Sequence, residues 1–406
     1  MPTSSRTRTR TPPPARPLAS APWVDAAPPA VRRELELPAL SARETPLPAT
    51  DIAVVGGGVA GLSAALAARE AGALVTVLEA APRLGLGATG QNAGILSAGI
   101  NTPLVDLPPD SPEAAMWPAT TALLLGLVEL SRRPGAVVAA SLTGALSLAT
   151  SRTAARHLAR EARARTAVGV RAEMWEPDQV AARTGGRLRT AGVQAALWLP
   201  DEGRLDPVSL LAELARQARA SGVVFVGDAR VQECEERRPL EAARGGWCLR
   251  LEGAPALEAR GLVLADGPTL RATARIYAMA FAADFPDDFP LFWDAAPYVY
   301  YDYRPGGGRL GISGGRYARA GTRHRDAHHH ARMAEAARAW LPELADRAPT
   351  HAWAVDLAVA PGMLPRTREL GNWAPGMAVE GLGALGVLPG MYHGRRAGAS
   401  VARRAQ

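Results

Sequence analysis

Residues 51–79, DIAVVGGGVAGLSAALAAREAGALVTVLE, constrain the fold of this chain more than any other stretch. Positions 51–55 form a short apolar run of the kind that becomes a buried parallel strand. Gly56, Gly58 and Gly61 follow with G-x-G-x-x-G spacing. An alanine- and leucine-rich helix is expected over 59–71 and a second strand over 74–78. Glu79 closes the unit, eighteen positions after Gly61. Gly56 permits a tight turn, Gly58 lets the backbone approach a pyrophosphate, and Gly61 lets the helix pack closely on the strand. Free N–H groups at the helix start face a negative ligand. Glu79 is placed to accept hydrogen bonds from an adenosine ribose. The glycines alone would be a weak signal, compatible with a turn that binds nothing. Strand, glycines, helix, second strand and acid in register are a strong one. The terminal acid favours a ribose without a 2′-phosphate, hence FAD or NAD rather than NADP.

With 406 residues, 48% of them hydrophobic, the chain can bury large cores and divides into about two domains. The formal charge is +7, and all 46 basic residues are arginine. Chemistry that needs a lysine is therefore excluded: a pyridoxal Schiff base, a P-loop ATPase, a lysine general base. The arginines are scattered rather than gathered in an aromatic-laced patch, which argues against nucleic acid as a partner. Cys234 and Cys248 make neither a disulfide framework nor a metal motif. No apolar run stands out as long enough to cross a bilayer, so no stable membrane insertion and a cytoplasmic protein are expected. Residues 1–47, rich in Pro, Arg, Ser, Thr and Ala, read as a disordered extension without a signal-peptide core.

Beyond Glu79 the loop APRLGLGATGQNAGILSAGI, residues 81–100, is thin and rich in small residues. A cofactor lying along its backbone would explain why its side chains are so sparse. The first unit followed by GLGATGQNAG resembles the FAD-dependent oxidoreductases of the D-amino-acid oxidase superfamily, which includes glycine and sarcosine oxidases and γ-glutamylputrescine-type oxidases. Gly87, Thr89, Gly90, Asn92 and Gly94 match that wording, and Gln91 stands where a basic residue is common. The resemblance implies that this loop passes the pyrophosphate and reaches toward the flavin.

Similar wording recurs downstream. Gly203, Asp206 and Pro207 match a segment that returns the family's chain from its substrate domain to its FAD domain. Asp206 also reads as a helix N-cap with Pro207 at the first helical position. RGLVLADG resembles a family strand and bend, with Asp266 replacing the usual threonine, where it could disturb cofactor contacts or face solvent. The carboxyl end GLGALGVLPGMYHG matches at Gly381, Gly386 and Gly394; Ala384 and Leu385 replace a glycine and a frequent histidine. A helix starting near 388 would stabilise negative charge on reduced flavin. Val231, Gly267, Gly383, Leu385 and Gly386 are further cofactor-binding positions that the resemblance implies. No cysteine follows 248 and no histidine precedes His157, so the FAD is expected to be non-covalent.

The expected fold is α/β. A Rossmann-like FAD-binding domain (48–135, 203–275 and 353–406) interleaves with an α+β substrate domain (136–202 and 276–352) containing an antiparallel sheet. Helices are expected over 111–132 and 151–165, with a strand pair over 136–150 turned at Gly144. Aromatics concentrate over 277–303 in a chain with only 5% of them. PYVYYDYRPGGGRLGISGG reads as two strands around a glycine turn, with Tyr298 and Tyr300 on one face and Tyr301 and Tyr303 on the other. Either face could line a pocket or form a structural ladder. Tyr303, Arg304, Pro305, Gly308, Arg309, Leu310, Gly314 and Gly315 match family wording. The cluster His324, His328, His329 and His330 reads as a solvated helix start rather than a metal site, and no metal is expected.

Glycine oxidases present an arginine to a substrate carboxylate where this chain has Ala360. That shifts the expected substrate toward an amine, or an amino acid held elsewhere. Tyr300, Tyr303, His351 and Trp353 are the candidate pocket residues. The resemblance implies hydride transfer from the carbon beside an amine nitrogen to FAD, giving an imine, with oxygen or another acceptor taking the electrons. Oxidative cyclisation or desaturation, a non-catalytic flavoprotein, and an NAD-only dehydrogenase are the alternatives.

Overall fold

The strand Thr50–Val55 is the centre of an eight-stranded sheet, buried on both faces because its side chains are almost all apolar. In the computed structural model, which describes residues 19–40, 47–238, 245–266, 273–294 and 301–406, it pairs in parallel with Val75–Leu78 and Leu257–Leu264. Val224–Val226 extends the parallel set on one side. Gly376–Glu380 extends it on the other, where Gly246–Leu251 and Val231–Arg237 add an antiparallel flank.

A second eight-stranded sheet is mostly antiparallel. Its long members are Ala274–Ala282, Arg309–Arg319 and Pro349–Leu357, continued by Tyr301–Pro305, Leu291–Asp294 and Ala145–Ala149. The chain thus passes repeatedly between a mainly parallel sheet and a mainly antiparallel one, the interleaving expected from the sequence. Pro349–Leu357 lies wholly in the second sheet, so the last crossing follows Leu357 rather than 353.

The tightest packing joins the helix Val59–Glu70 to the helix Val387–Ala405. A Cβ built on Gly394 would lie 2.2 Å from the Ala60 carbonyl oxygen, and one on Gly398 would lie 2.1 Å from that of Ala64. Only glycine allows two backbones to touch so closely. Since Gly390 meets Val59, Gly394 meets Ala60 and Gly398 meets Ala64, the helices run parallel and start at the same end.

Four sequence expectations need correction. Residues 19–40 are not a disordered extension: Pro22–Asp25 and Pro29–Leu35 are helical, and Ala21, Trp23, Ala27, Val31 and Leu35 are buried in the main core. Their apolar spacing is masked by the surrounding proline and arginine. Ala140–Leu142 and Ala145–Ala149 are not a hairpin; the first joins a three-stranded sheet and the second the large antiparallel one. They part at Gly144, whose positive φ and missing side chain make room for the Trp198 ring. The helix Pro112–Ser131 is, by length and composition, apolar enough to span a bilayer. One side of it, with Trp117, Leu124, Leu127 and Val128, is buried against the protein. The histidines at the start of Asp326–Trp340 are not all solvated, since His329 stacks on Tyr277 with centroids 4.3 Å apart.

Gly394→Ala puts a methyl group into backbone and is expected to destabilise the protein by about 1–3 kcal/mol. Thermal unfolding checks this, and an unchanged midpoint would contradict the close approach.

Candidate cofactor and active site

A cavity of about 540 Å³ opens where the two sheets meet. One end is lined by Glu79, Ala229, Arg230 and Val231, its middle by Gly56–Gly58, Thr89 and Leu382–Val387, and its other end by Tyr277, Asp302, Ser313 and Tyr317. That volume suits an organic ligand. Glu79 closes the first end, accepting from Gly57 N at 2.8 Å and Ala81 N at 3.0 Å.

The middle is built for backbone approach. A Cβ on Gly58 would meet only the Thr89 hydroxyl, at 3.2 Å, and one on Gly87 would meet nothing within 4 Å. Gly58 and Gly386 cap the two parallel helices and offer no capping side chain, so the orphan N–H groups at both helix starts belong to this cavity. Of these, Val59 N donates to Thr89 Oγ1 at 3.3 Å. A negatively charged, adenine-containing dinucleotide fits this surface: ribose at Glu79, pyrophosphate at Gly58, and a ring system toward Gly383–Gly386.

Other expected cofactor residues are structural. Gly61 and Gly90 do not line the cavity; a Cβ on either would fall 1.9 Å from a carbonyl oxygen, of Gly56 and Gly85 respectively. Gly94 is crowded by Leu205 O at 2.5 Å. Asn92 lines the cavity, but its side chain staples its own loop, donating to Thr89 O and accepting from Gly94 N, both at 2.6 Å. Gly267 and Tyr300 lie outside the described residues. Val231, Gly383, Leu385 and Gly386 all line the cavity, and Asp266 joins Glu79 along its wall instead of turning away.

The loop 90–94 is tethered by donors from three remote segments. Trp23 Nε1 donates to Gly90 O, Trp353 Nε1 to Gln91 O and Arg304 Nε to Gly94 O, each at 2.8 Å. Trp23 and Trp353 meet edge to face at 5.8 Å, and the Arg304 guanidinium lies over Trp23. His330 Nε2 hydrogen-bonds Trp353 O at 3.0 Å, bracing the wall from behind.

Of the four candidate pocket residues, Trp353 lines the cavity. His351 does not; its ring engages the Thr350 hydroxyl at 2.9 Å outside the lining. Tyr303 does not either. It is fully buried in the core behind the sheet, stacked on Phe292 at 4.4 Å, and burial pushes its hydroxyl pKa far up. The strand's alternation brings Asp302 to the cavity instead, cross-strand from Ser313. Burial, followed by the charge of Asp294, pushes the Asp302 carboxyl up to about 8, against the hydrogen bond from Ser313. Sequence reading missed Asp302. The available signal was the one acid among tyrosines on the face that carries Tyr300. Glu202 lies behind Ser97, buried and pushed up to about 7 by desolvation, partly offset by Arg165 and Ser97.

A sequence model of the family described as "FAD dependent oxidoreductase" matches residues 51–399. A search of curated proteins finds no match. Among solved structures, glycine oxidase from Geobacillus kaustophilus superposes with a TM-score of 0.69 at 20% identity, over 88% of this chain and 94% of that one. Iminodiacetate oxidase from Chelativorans sp. BNC1 gives 0.67 at 20% identity, over 86% and 95%. L-amino acid deaminase from Proteus vulgaris, lacking its specific insertion sequence, gives 0.70 at 15% identity, over 93% and 94%. At such identities the likeness is one of fold.

Two substitutions test the cradle. Gly58→Val should leave the apoprotein folded, because the added atoms enter the cavity, yet abolish dinucleotide retention; undiminished occupancy refutes the placement. Trp23→Phe removes one donor to the loop and should weaken cofactor retention by roughly two- to tenfold, the worth of one hydrogen bond. Equilibrium dialysis of the bound chromophore measures it.

Proposed function

The chain belongs to the FAD-dependent oxidoreductase family, and from that premise we propose that it oxidises a C–N bond of a small amine or amino acid to an imine. The observation that carries this reading is one continuous cavity. It has a dinucleotide cradle at Glu79 and Gly58 and a walled polar chamber at Asp302, Ser313 and Trp353. Named structural neighbours that act on glycine, iminodiacetate and L-amino acids support it.

Bound FAD supplies a two-electron acceptor able to take a hydride from the carbon beside nitrogen. The protein's share is orientation and electrostatics. The uncapped start of Val387–Ala405 presents backbone N–H groups and the positive end of a helix dipole to the cavity, where they favour negative charge. The Trp353 indole, fixed by Gln91 O, forms an immobile wall. Asp302 and Ser313 supply the polar contacts that place a nitrogen. The imine hydrolyses in water, and oxygen or another acceptor removes the electrons.

Anaerobic addition of a panel of amines and amino acids to the holoprotein should bleach the flavin absorbance with at least one member, releasing ammonia or a shorter amine together with a carbonyl compound. Protein carrying FAD that no member reduces, or a reaction that retains nitrogen in a new ring, would overturn the proposal.

A further inference from the structure

Resting on the amine-oxidation reading and sharpening it, we infer that the substrate is a cationic amine without a carboxylate beside its nitrogen, and that Asp302 holds its ammonium group. The argument is one of charge balance around the far chamber. Asp302 lines it directly. Asp294 sits one strand away, its carboxylate accepting from Tyr301 N at 3.0 Å, and Glu202 lies close enough to act on Asp302. Glu202 is 2% exposed, and its Oε2 has no hydrogen-bond partner among the described residues.

Two arginines among the described residues near this chamber are already committed. Arg165 is shared between Glu161 at 2.8 Å and Glu202 at 3.2 Å, and it covers the Trp117 ring. Arg304 is spent on the carbonyls of Gly94 and Leu205. Among the described residues that line the cavity, the arginine is Arg230, next to Val231 at the opposite, ribose end. A ligand carboxylate entering the far chamber would therefore meet carboxyl groups and, among the described residues, no uncommitted cation, which is costly away from water. An ammonium group supplies the positive partner that no described residue gives Asp302, and pairing with it displaces the proton that burial otherwise keeps on that carboxyl. Asp302 can also take one of its protons: an N–H bond breaks, an O–H bond forms on the carboxylate, and the neutral amine needed for C–H oxidation remains. The carboxyl's raised proton affinity suits it to that exchange.

The test uses FAD-loaded protein and two isosteric probes that cannot be oxidised, tert-butylammonium and pivalate, titrated by the flavin difference spectrum. The ammonium should bind at least tenfold tighter than the carboxylate, and Asp302→Asn should erase that preference with flavin content unchanged. Benzylamine should also reduce wild-type flavin at least tenfold faster than phenylglycine. Equal binding of the probes, an ammonium affinity untouched in Asp302→Asn, or phenylglycine reducing as fast as benzylamine would overturn the inference. The wild-type comparisons decide it even if the variant fails to fold. Reduction by amino acids alone would sink this assignment and leave C–N oxidation standing, whereas no reduction by either class would remove both.

Discussion

Two helices that begin side by side and touch through bare backbone set the geometry of everything around the cavity. Parallel helices repel through their aligned dipoles, and Val59–Glu70 and Val387–Ala405 bring both positive ends to one place. Packing at Gly394 and Gly398 holds them there. The unfavourable convergence is offset when an anion occupies the cavity, because the same N–H groups become its binding site. A diphosphate supplies that charge. The glycine pattern near the carboxyl end therefore secures close contact between the helices and, through it, the convergence of two positive helix ends on the cavity.

A second constraint ties the cofactor surface to the substrate surface. The loop 90–94 meets a strand only at its end, where Leu205 N donates to Gly94 O at 2.9 Å, so its carbonyls need further donors from elsewhere. Trp23, Trp353 and Arg304 provide them, one from the amino-terminal helices and two from the antiparallel sheet. Trp353 and Arg304 belong to strands that also carry the chamber lining, since Val355 and Asp302 lie two positions from them and face the cavity. A shift of either strand would move the loop beside the dinucleotide. The chamber wall and the glycine-rich loop beside it thus form one hydrogen-bonded unit.

What the sequence made legible was local. The first strand–helix–strand unit, the Asp206 cap with its following proline, and the glycine turn at 306–308 are each specified by neighbouring residues. All were found within a residue or two. What it hid was relational. Trp23 looks like a stray aromatic in a proline- and arginine-rich tail until its indole is seen to reach Gly90, 67 positions away. Gly144 reads as a hairpin turn because nothing nearby reveals the Trp198 ring that fills its place. A period of two puts Tyr300 and Tyr303 on opposite faces, so one pocket wall cannot take both. Alternation should have selected Asp302 once one face was assigned to the cavity. The resemblance also treats Gly61, Gly90 and Gly94 as contacts, where the physical demand is closeness of backbone to backbone.

The parallel pairing of those two helices also has a bearing on biosynthesis. The second is translated more than three hundred residues after the first, so the nascent chain carries half of an anion site through all the synthesis between them. The two-helix anion site is complete only once the distal helix has docked on the first. A ligand that binds only the assembled pair then draws the chain toward that form by mass action.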